Sequence, residues 1–158
     1  MHIVLYKPDI PQNTASIVRL SACLKLNLHI IEPCGFDLND SRFKRVVMDY
    51  MGLSKVLRYD SYDNFIKKNK KSRIVLMTTK AKKLYHKFKF KNDDMLLFGR
   101  ESAGVPNYLH KKIKNKLKVP MNKDTRSLNV AICVAIISSE ALRQNLSLIH
   151  ISEPTRPY

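Results

Sequence analysis

Short apolar runs alternate with helix-like patterns along almost the whole 158-residue chain, and this alternation restricts the fold more than any other feature. Strands that are apolar at consecutive positions are buried on both faces, as in parallel sheets covered by helices. The sequence therefore predicts an α/β domain with a mostly parallel sheet and helices on both faces. Predicted strands cover 2–6, 28–32, 55–59, 73–77, 95–98 and 117–119; predicted helices begin at Pro11 and cover 41–50, 62–70, 106–114 and 127–144.

The last predicted helix is apolar on every side between Val130 and Ile137. No face is left for water, so this helix needs a partner beyond its own sheet. A homodimer interface formed by the last helix is the economical explanation, and deep insertion within a monomer is the alternative. The apolar run is far shorter than the roughly 20 residues of a membrane-spanning helix. We therefore expect no membrane association.

The end of the chain differs in character from the rest. Residues 147–158, SLIHISEPTRPY, resemble a translated sequencing adapter. We predict a folded domain over residues 1–146 followed by a non-native or disordered tail over 147–158. A genuine flexible tail is the alternative.

Positive charge is both high and clustered. The chain has 29 Lys and Arg against 13 Asp and Glu, a net charge of +16, and eleven basic but no acidic residues between Lys67 and Lys91. Such a surface attracts polyphosphate, although a lysine-rich genome would produce the same excess. Within this region Phe88 and Phe90 alternate with lysines, which predicts either a basic edge for RNA or an amphipathic strand with buried phenylalanines.

Cysteine and histidine usage argues against a metal site or a disulfide framework. Cys23, Cys34 and Cys133 are isolated, and the five histidines lack ligand spacing. We expect no metal. The odd number of scattered cysteines fits a reducing cytosol, so the predicted location is cytoplasmic.

Three separated blocks carry the residues suited to chemistry: 10–20, 96–106 and 119–131. Each places polar residues and a turn at the edge of an apolar segment, where α/β proteins build their sites. Local structural roles are also open for several of these residues. Asn13 or Thr14 would cap a helix, Ser127 would cap the last helix, and Arg19 would be a solvated surface residue.

The second block contains two glycines that exclude two familiar nucleotide sites. A phosphate-binding loop needs Lys-Ser/Thr directly after its second glycine, but Val105-Pro106 follows Gly104. A G-x-G-x-x-G dinucleotide fingerprint is also missing from the sequence. What remains is a glycine turn at a strand end that carries Glu101.

Together and in this order, the blocks resemble the SPOUT-class RNA methyltransferases. Asn13 and Arg19 match N-T-G-x-x-x-R with Ala15 in place of glycine, block two matches F-G-x-E-x-x-G-[LV]-P, and block three contains Pro-Met, a loop and Ser-Leu-Asn. The similarity is greatest to the small single-domain group that methylates a ribose 2′-hydroxyl of the wobble cytidine or uridine in the tRNA anticodon loop. It implies a C-terminal deep trefoil knot, S-adenosylmethionine as cofactor, a tRNA anticodon stem-loop as partner and a homodimer.

The resemblance also implies site residues. The predicted catalytic residues are Arg19, Asn13, Glu101, Ser127 and Asn129. The predicted cofactor-binding residues are Met77, Thr78, Thr79, Phe98, Gly99, Glu101, Gly104, Val119, Pro120, Met121, Ser127 and Leu128. Arg19 is expected to bind the adjoining phosphate and to stabilise developing alkoxide charge, since arginine is a poor base. Two alternatives stay open: a SPOUT methyltransferase of ribosomal RNA, and a non-catalytic RNA-binding protein that retains the fold.

Overall fold

The computed structural model describes residues 1–145 as seven strands, five α-helices and one 3-10 turn. The strands are β1 (His2–Tyr6), β2 (Asn27–Ile31), β3 (Val56–Tyr59), β4 (Ile74–Met77), β5 (Lys83–Leu84), β6 (Met95–Phe98) and β7 (Asn115–Lys118). The helices are α1 (Pro11–Cys23), α2 (Ser41–Met51), α3 (Tyr62–Lys68), α4 (Asn107–Lys112) and α5 (Val130–Gln144), with the 3-10 turn at Tyr85–Lys87. Residues 146–158 lie outside the described part, so the predicted domain end and tail are not tested.

All strand pairs of the sheet are parallel, in the order β3-β2-β1-β6-β4-β7-β5. The predicted α/β class is confirmed. Alternate side chains of β1 enter two separate cores: Ile3 and Leu5 pack with α1, α2 and α5, whereas Val4 and Tyr6 pack with α3 and α4. Helices therefore cover both faces, which explains why the strands are apolar at consecutive positions.

Several boundaries differ from the predictions, and among the strands the largest shift is at β7. This strand covers Asn115–Lys118 rather than 117–119 because it lies beside the edge of the sheet, where lysines reach solvent from a strand. The two-residue strand β5 was not predicted. Phe88 and Phe90 are buried as one alternative proposed, but they follow the 3-10 turn and do not form a strand.

Two helices begin at cap residues other than the predicted ones. Ile10 is the cap residue of α1 and Pro11 occupies its first turn, so neither Asn13 nor Thr14 caps the helix. Helix α5 begins at Val130 instead of Ser127, because the side chain of Asn129 accepts hydrogen bonds from the backbone N–H groups of Ala131 and Ile132. The side chains of Asn13 and Asn129 belong to the wall of the site described below.

No helix within residues 1–145 is long and apolar enough to cross a membrane. The trefoil knot stays a prediction of the resemblance.

Candidate functional site

A cavity of about 430 Å³ opens at the carboxyl ends of four neighbouring strands, β1, β6, β4 and β7. The chain after each strand contributes to its wall, and the segment leading into α5 completes it. The wall includes Ile10 and Asn13 after β1, residues 77–80 after β4, 98–101 and 103–105 after β6, residues 117–119 and Met121 at β7, then residues 127–130. The chain order reverses between these strands, and α/β proteins bind ligands at such a point.

The cavity wall combines a large apolar surface with two groups of polar side chains. The apolar surface comes mainly from Met77, Phe98, Leu117, Val119, Met121 and Leu128. One polar group surrounds Glu101, and the other surrounds Thr78 and His110. An apolar cavity with few fixed polar groups is typical of a site for a small organic molecule.

Glu101 lies at the centre of hydrogen bonds that join all three sequence blocks. Its carboxylate accepts from the backbone N–H of Asp9 at 2.7 Å and from the Asn13 side-chain amide at 3.2 Å. The side-chain amide of Asn129 in turn donates to Oδ1 of Asn13 at 2.9 Å. These four residues, Asp9, Asn13, Glu101 and Asn129, are called the Glu101 network. Residues up to 116 positions apart thus hold one another in fixed orientations.

Asp9 fastens the loop that carries Glu101. Its carboxylate accepts from Nε and Nη2 of Arg100 and from the backbone N–H and hydroxyl of Ser102. The Arg100 guanidinium, with Ser102, holds the pKa of Asp9 well below its usual range. Asp9 was not predicted as a site residue, and Arg100 was included only as part of the second block, so their pairing was not predicted. Only their position beside motif residues could have indicated them, because 91 residues separate the two.

The same loop depends on two glycines for different reasons. A Cβ on Gly99 would lie 2.6 Å from backbone atoms of Gly104 and 2.9 Å from the nitrogen of Val105. Gly104 has φ +65°, in the left-handed region that favours glycine. Arg100 and Gly104 exchange backbone hydrogen bonds, so the loop folds tightly on itself at the cavity.

The second polar group was not predicted as a whole. Thr78 Oγ1 and His110 Nε2 lie 2.9 Å apart, and Lys80 and Lys118 also belong to the wall. Burial, together with the charges of Lys80 and Lys116, lowers the pKa of His110. The imidazole is therefore neutral at neutral pH. His110 lies inside α4 and belongs to no motif, so no sequence pattern indicated it.

Cys133 also contributes to the wall, but its thiol is unreactive. Burial raises the pKa of its thiol to about 11, so that little thiolate is present at neutral pH. Within residues 1–145, no group of three or more His, Cys, Asp and Glu side chains is placed to hold a metal ion.

Comparison with known proteins identifies the family. The model of the SpoU rRNA methylase family matches residues 1–139. The chain belongs to this family. The predicted resemblance is confirmed, because the match spans all three blocks.

Relatives of this SpoU-family chain are similar over nearly its whole length. The tRNA (cytidine(34)-2′-O)-methyltransferase of Beijerinckia indica is 42% identical and covers 98% of both chains. A structure described as giving insights into the 2-OH methylation of C/U34 on tRNA has a TM-score of 0.87 at 35% identity, covering 92% of this chain and 96% of its own. The SpoU methyltransferase AviRb of Streptomyces viridochromogenes, crystallised with AdoMet, shares the fold with a TM-score of 0.84 at 22% identity. That match covers 93% of this chain and 61% of the AviRb chain.

All but two of the site residues predicted for this SpoU-family chain belong to the cavity wall. Pro120 is exposed and lies between the wall residues Val119 and Met121. Arg19 is exposed on α1, with its guanidinium 5.1 Å from the ring centroid of Tyr50 on α2. Six residues separate Arg19 from Asn13, about 9 Å along the helix axis. Arg19 therefore does not face the cavity of its own chain.

Proposed function

We propose that this protein methylates the ribose 2′-hydroxyl of the wobble nucleotide, a cytidine or uridine, in the tRNA anticodon loop. The observation that carries the proposal is the cavity around which the Glu101 network joins the three motif blocks. The names of the similar proteins supply the substrate, cytidine 34 of tRNA. We also propose a cytoplasmic location, where such a substrate is found.

The cavity residues fit S-adenosylmethionine in size and in chemistry. A volume of about 430 Å³ lies within the range of about 300–1,000 Å³ found for sites of small organic ligands. The apolar wall suits an adenine ring and a weakly hydrated sulfonium, and the loops at 77–79, 98–101 and 119–121 offer backbone groups to the polar edges. When bound, S-adenosylmethionine supplies a methyl group activated by its positively charged sulfur.

We propose that the Glu101 network and Ser127 orient the reacting nucleotide and the cofactor. A fixed orientation lowers the barrier because the hydroxyl has to approach the methyl carbon from one direction. The hydroxyl must also lose its proton as its bond to carbon forms. Arginine stays charged at neutral pH, so we assign Arg19 to the adjoining phosphate and to the developing negative charge on oxygen.

The exposed side of α5 supports a homodimer. Ile132, Ala135, Ile136 and Ser139 share one face of the helix, and none of them is fully buried. Ile132 is 53% exposed, and Leu128, one turn earlier, is 37% exposed. A second copy packed on this mostly apolar face would remove it from water, as was predicted for the last helix.

A dimer through α5 also gives Arg19 a route to a cavity. Helix α1 packs against α5, so α1 lies next to the proposed interface. We therefore propose that Arg19 of one copy serves the cavity of the other.

Subunit mixing tests this assignment. Arg19→Ala and Glu101→Ala are each expected to be nearly inactive. If Arg19 acts across the interface, mixed dimers contain one intact site, and random exchange restores about a quarter of wild-type activity. No recovery, with exchange verified by a tag on one variant, contradicts action across the interface. Normal turnover by Arg19→Ala alone contradicts any catalytic role for Arg19.

The function itself is tested by mass spectrometry of nucleolytic fragments. Transfer RNA and ribosomal RNA are incubated separately with the protein and isotope-labelled S-adenosylmethionine. The expected result is label on the ribose of nucleotide 34 in tRNA. Label confined to ribosomal RNA identifies the other substrate class, and cofactor binding by calorimetry without any transfer identifies a non-catalytic relative.

A further inference from the structure

Two chain segments that the sheet brings side by side contain eleven lysines and no acidic residue. The segments are 80–91 and 107–118. They meet because β5 pairs with β7, with Lys83 opposite Leu117 and Leu84 opposite Lys118. These lysines are called the lysine edge: Lys80, Lys82, Lys83, Lys87, Lys89, Lys91, Lys111, Lys112, Lys114, Lys116 and Lys118. All except Lys116 and Lys118 are exposed.

The charge of the lysine edge is not neutralised by the protein. Each of the five ion pairs found within residues 1–145 uses an arginine. Lys116 donates instead to the backbone carbonyl of His110 at 2.8 Å, and Lys83 lies 5.1 Å from the ring centroid of Phe88. Unpaired cations at this density attract mobile counterions, and a polyanion that displaces them gains binding free energy through their release.

The lysine edge is continuous with the cavity. Lys80, just after β4, and Lys118, at the carboxyl end of β7, belong to both. Lys82 precedes β5, Lys87 follows it, and Lys111 and Lys112 come directly after the wall residue His110. Lys89 and Lys114 lie farther away, at the level where β4 begins. A nucleotide placed at the cavity would therefore have the neighbouring phosphates of its strand directed toward unpaired lysines.

We infer that the lysine edge binds the phosphate backbone of the RNA strand that flanks the reacting nucleotide. This inference rests on the proposed function, and it names the surface of the chain that the substrate crosses. RNA is favoured over an anionic membrane because membrane binding needs apolar side chains that enter the lipid. Among the exposed large apolar residues of the described chain, only Tyr108 lies in the two segments.

A second lysine cluster provides a matched control. Lys67, Lys68, Lys70 and Lys71 are exposed at the end of α3 and just after it, before β4 begins. They lie near the amino end of the parallel strands, whereas the cavity is at the carboxyl end. The four residues of β4 separate the two levels by about 13 Å. This cluster has the same kind of charge, but no connection to the cavity.

The test compares two fourfold variants of the full chain. The edge variant is K82Q/K87Q/K111Q/K112Q, which spares Lys80 and Lys118 in the cavity wall and Lys83 on the Phe88 ring. The control variant is K67Q/K68Q/K70Q/K71Q, so that each variant loses four positive charges. Affinity for an anticodon stem-loop RNA is measured by fluorescence anisotropy over a range of salt concentrations. Calorimetry with S-adenosylmethionine and thermal melting check the cavity and the fold.

We expect the edge variant to bind the stem-loop at least tenfold more weakly, while cofactor affinity and melting temperature stay unchanged. Its slope of log affinity against log salt should fall by up to about 3, as expected for four lost contacts to a single strand. The control variant should stay within about threefold of wild type, a loss expected from net charge alone.

Three results would overturn the inference. The first is an equal loss of affinity in both variants, which would show that net charge and not location matters. The second is an edge variant that binds RNA like wild type. The third is an edge variant that loses only its binding to vesicles of anionic phospholipid. A wild-type protein that binds the stem-loop and methylates no nucleotide would contradict the proposed function and leave the lysine edge standing.

Discussion

Two hydrogen-bonded polar clusters lie on the same sheet, and they differ in burial and charge. The Glu101 network is half-exposed, contains two carboxylates and opens into the cavity. Under α3, His29 lies between His2 and Tyr59, with 2.9 Å hydrogen bonds on both ring nitrogens. His29 and Tyr59 are buried and stack with ring planes at 14°. These three residues are called the histidine cluster.

The difference shows what makes a polar cluster available for function. All polar atoms of the buried His29 ring already have protein partners, so no ligand can use them. In the Glu101 network, Arg100 and Ser102 lower the pKa of Asp9, and the network lines a space that a ligand can enter. Changes in the histidine cluster should therefore alter stability, and changes in the Glu101 network should alter ligand binding.

The largest expected effect comes from Gly99→Ala, which acts on the loop of the Glu101 network. The added methyl group meets backbone atoms of Gly104 and Val105, and no side-chain rotation relieves that contact. Overpacking of this kind costs typically about 1–3 kcal/mol, so cofactor affinity should fall by up to about 100-fold. Calorimetry with S-adenosylmethionine measures it. Gly52→Ala is the control, since nothing lies within 4 Å of its Cβ position. Equal affinities in both variants would contradict the role of Gly99.

The second-largest effect is expected from acid, which should lower the free energy of unfolding through the histidine cluster. Burial, with the charges of His2 and Lys55, lowers the pKa of His29 to about 4. The unfolded chain, with a histidine pKa near 6.5, binds the proton more readily, so stability is full above pH 6.5 and falls between pH 6.5 and 4. Between pH 7 and pH 5 the loss is on the order of 2 kcal/mol.

Chemical denaturation at several pH values checks this prediction. His29→Gln should reduce the loss of unfolding free energy between pH 7 and pH 5, whereas His86→Gln, at an exposed position, should leave it unchanged. If the wild-type and His29→Gln curves have the same slope, His29 does not set the acid sensitivity.

Asp9→Asn should have a smaller effect, again confined to the site. The variant keeps the shape of Asp9 but loses the charge that pairs with Arg100, so the loop carrying Glu101 is held less firmly. We expect about a tenfold higher KM for the cofactor, equivalent to about 1.4 kcal/mol. Because the pKa of Asp9 is depressed, the carboxylate stays ionised and the pairing stays intact at every pH above its ordinary value near 3.8.

Glu32→Gln is the matched control for Asp9→Asn. It removes the carboxylate that accepts two hydrogen bonds from Arg58, and neither residue belongs to the cavity wall. The KM should stay at the wild-type value. Equal increases in both variants would mean that Asp9 acts through general stability and not through the loop.

The sequence predicted local features well and paired residues poorly. Strand and helix periodicity is a local property, so the α/β class and most elements followed from it. The three blocks were found by resemblance, which gave most of the cavity wall. Asp9 with Arg100 and Thr78 with His110 were missed because each pair joins distant parts of the chain and neither forms a pattern along the sequence. The predicted strand over 117–119 exists as β7, but it covers Asn115–Lys118, because its pairing within the sheet and not its local pattern sets its ends.

The smallest expected difference separates two neighbouring residues of block three. Asn129 caps α5, so Asn129→Ala should lower the free energy of unfolding by about 1 kcal/mol. Ser127 is exposed and lies two residues before that cap, so Ser127→Ala should change it by less than about 0.5 kcal/mol. Urea denaturation measures both. Since Ser127 and Asn129 both belong to the cavity wall, both variants should also bind S-adenosylmethionine more weakly. If Ser127→Ala destabilises the protein as much as Asn129→Ala, then Ser127 caps the helix in solution. Its presence in block three would then serve folding and not cofactor binding.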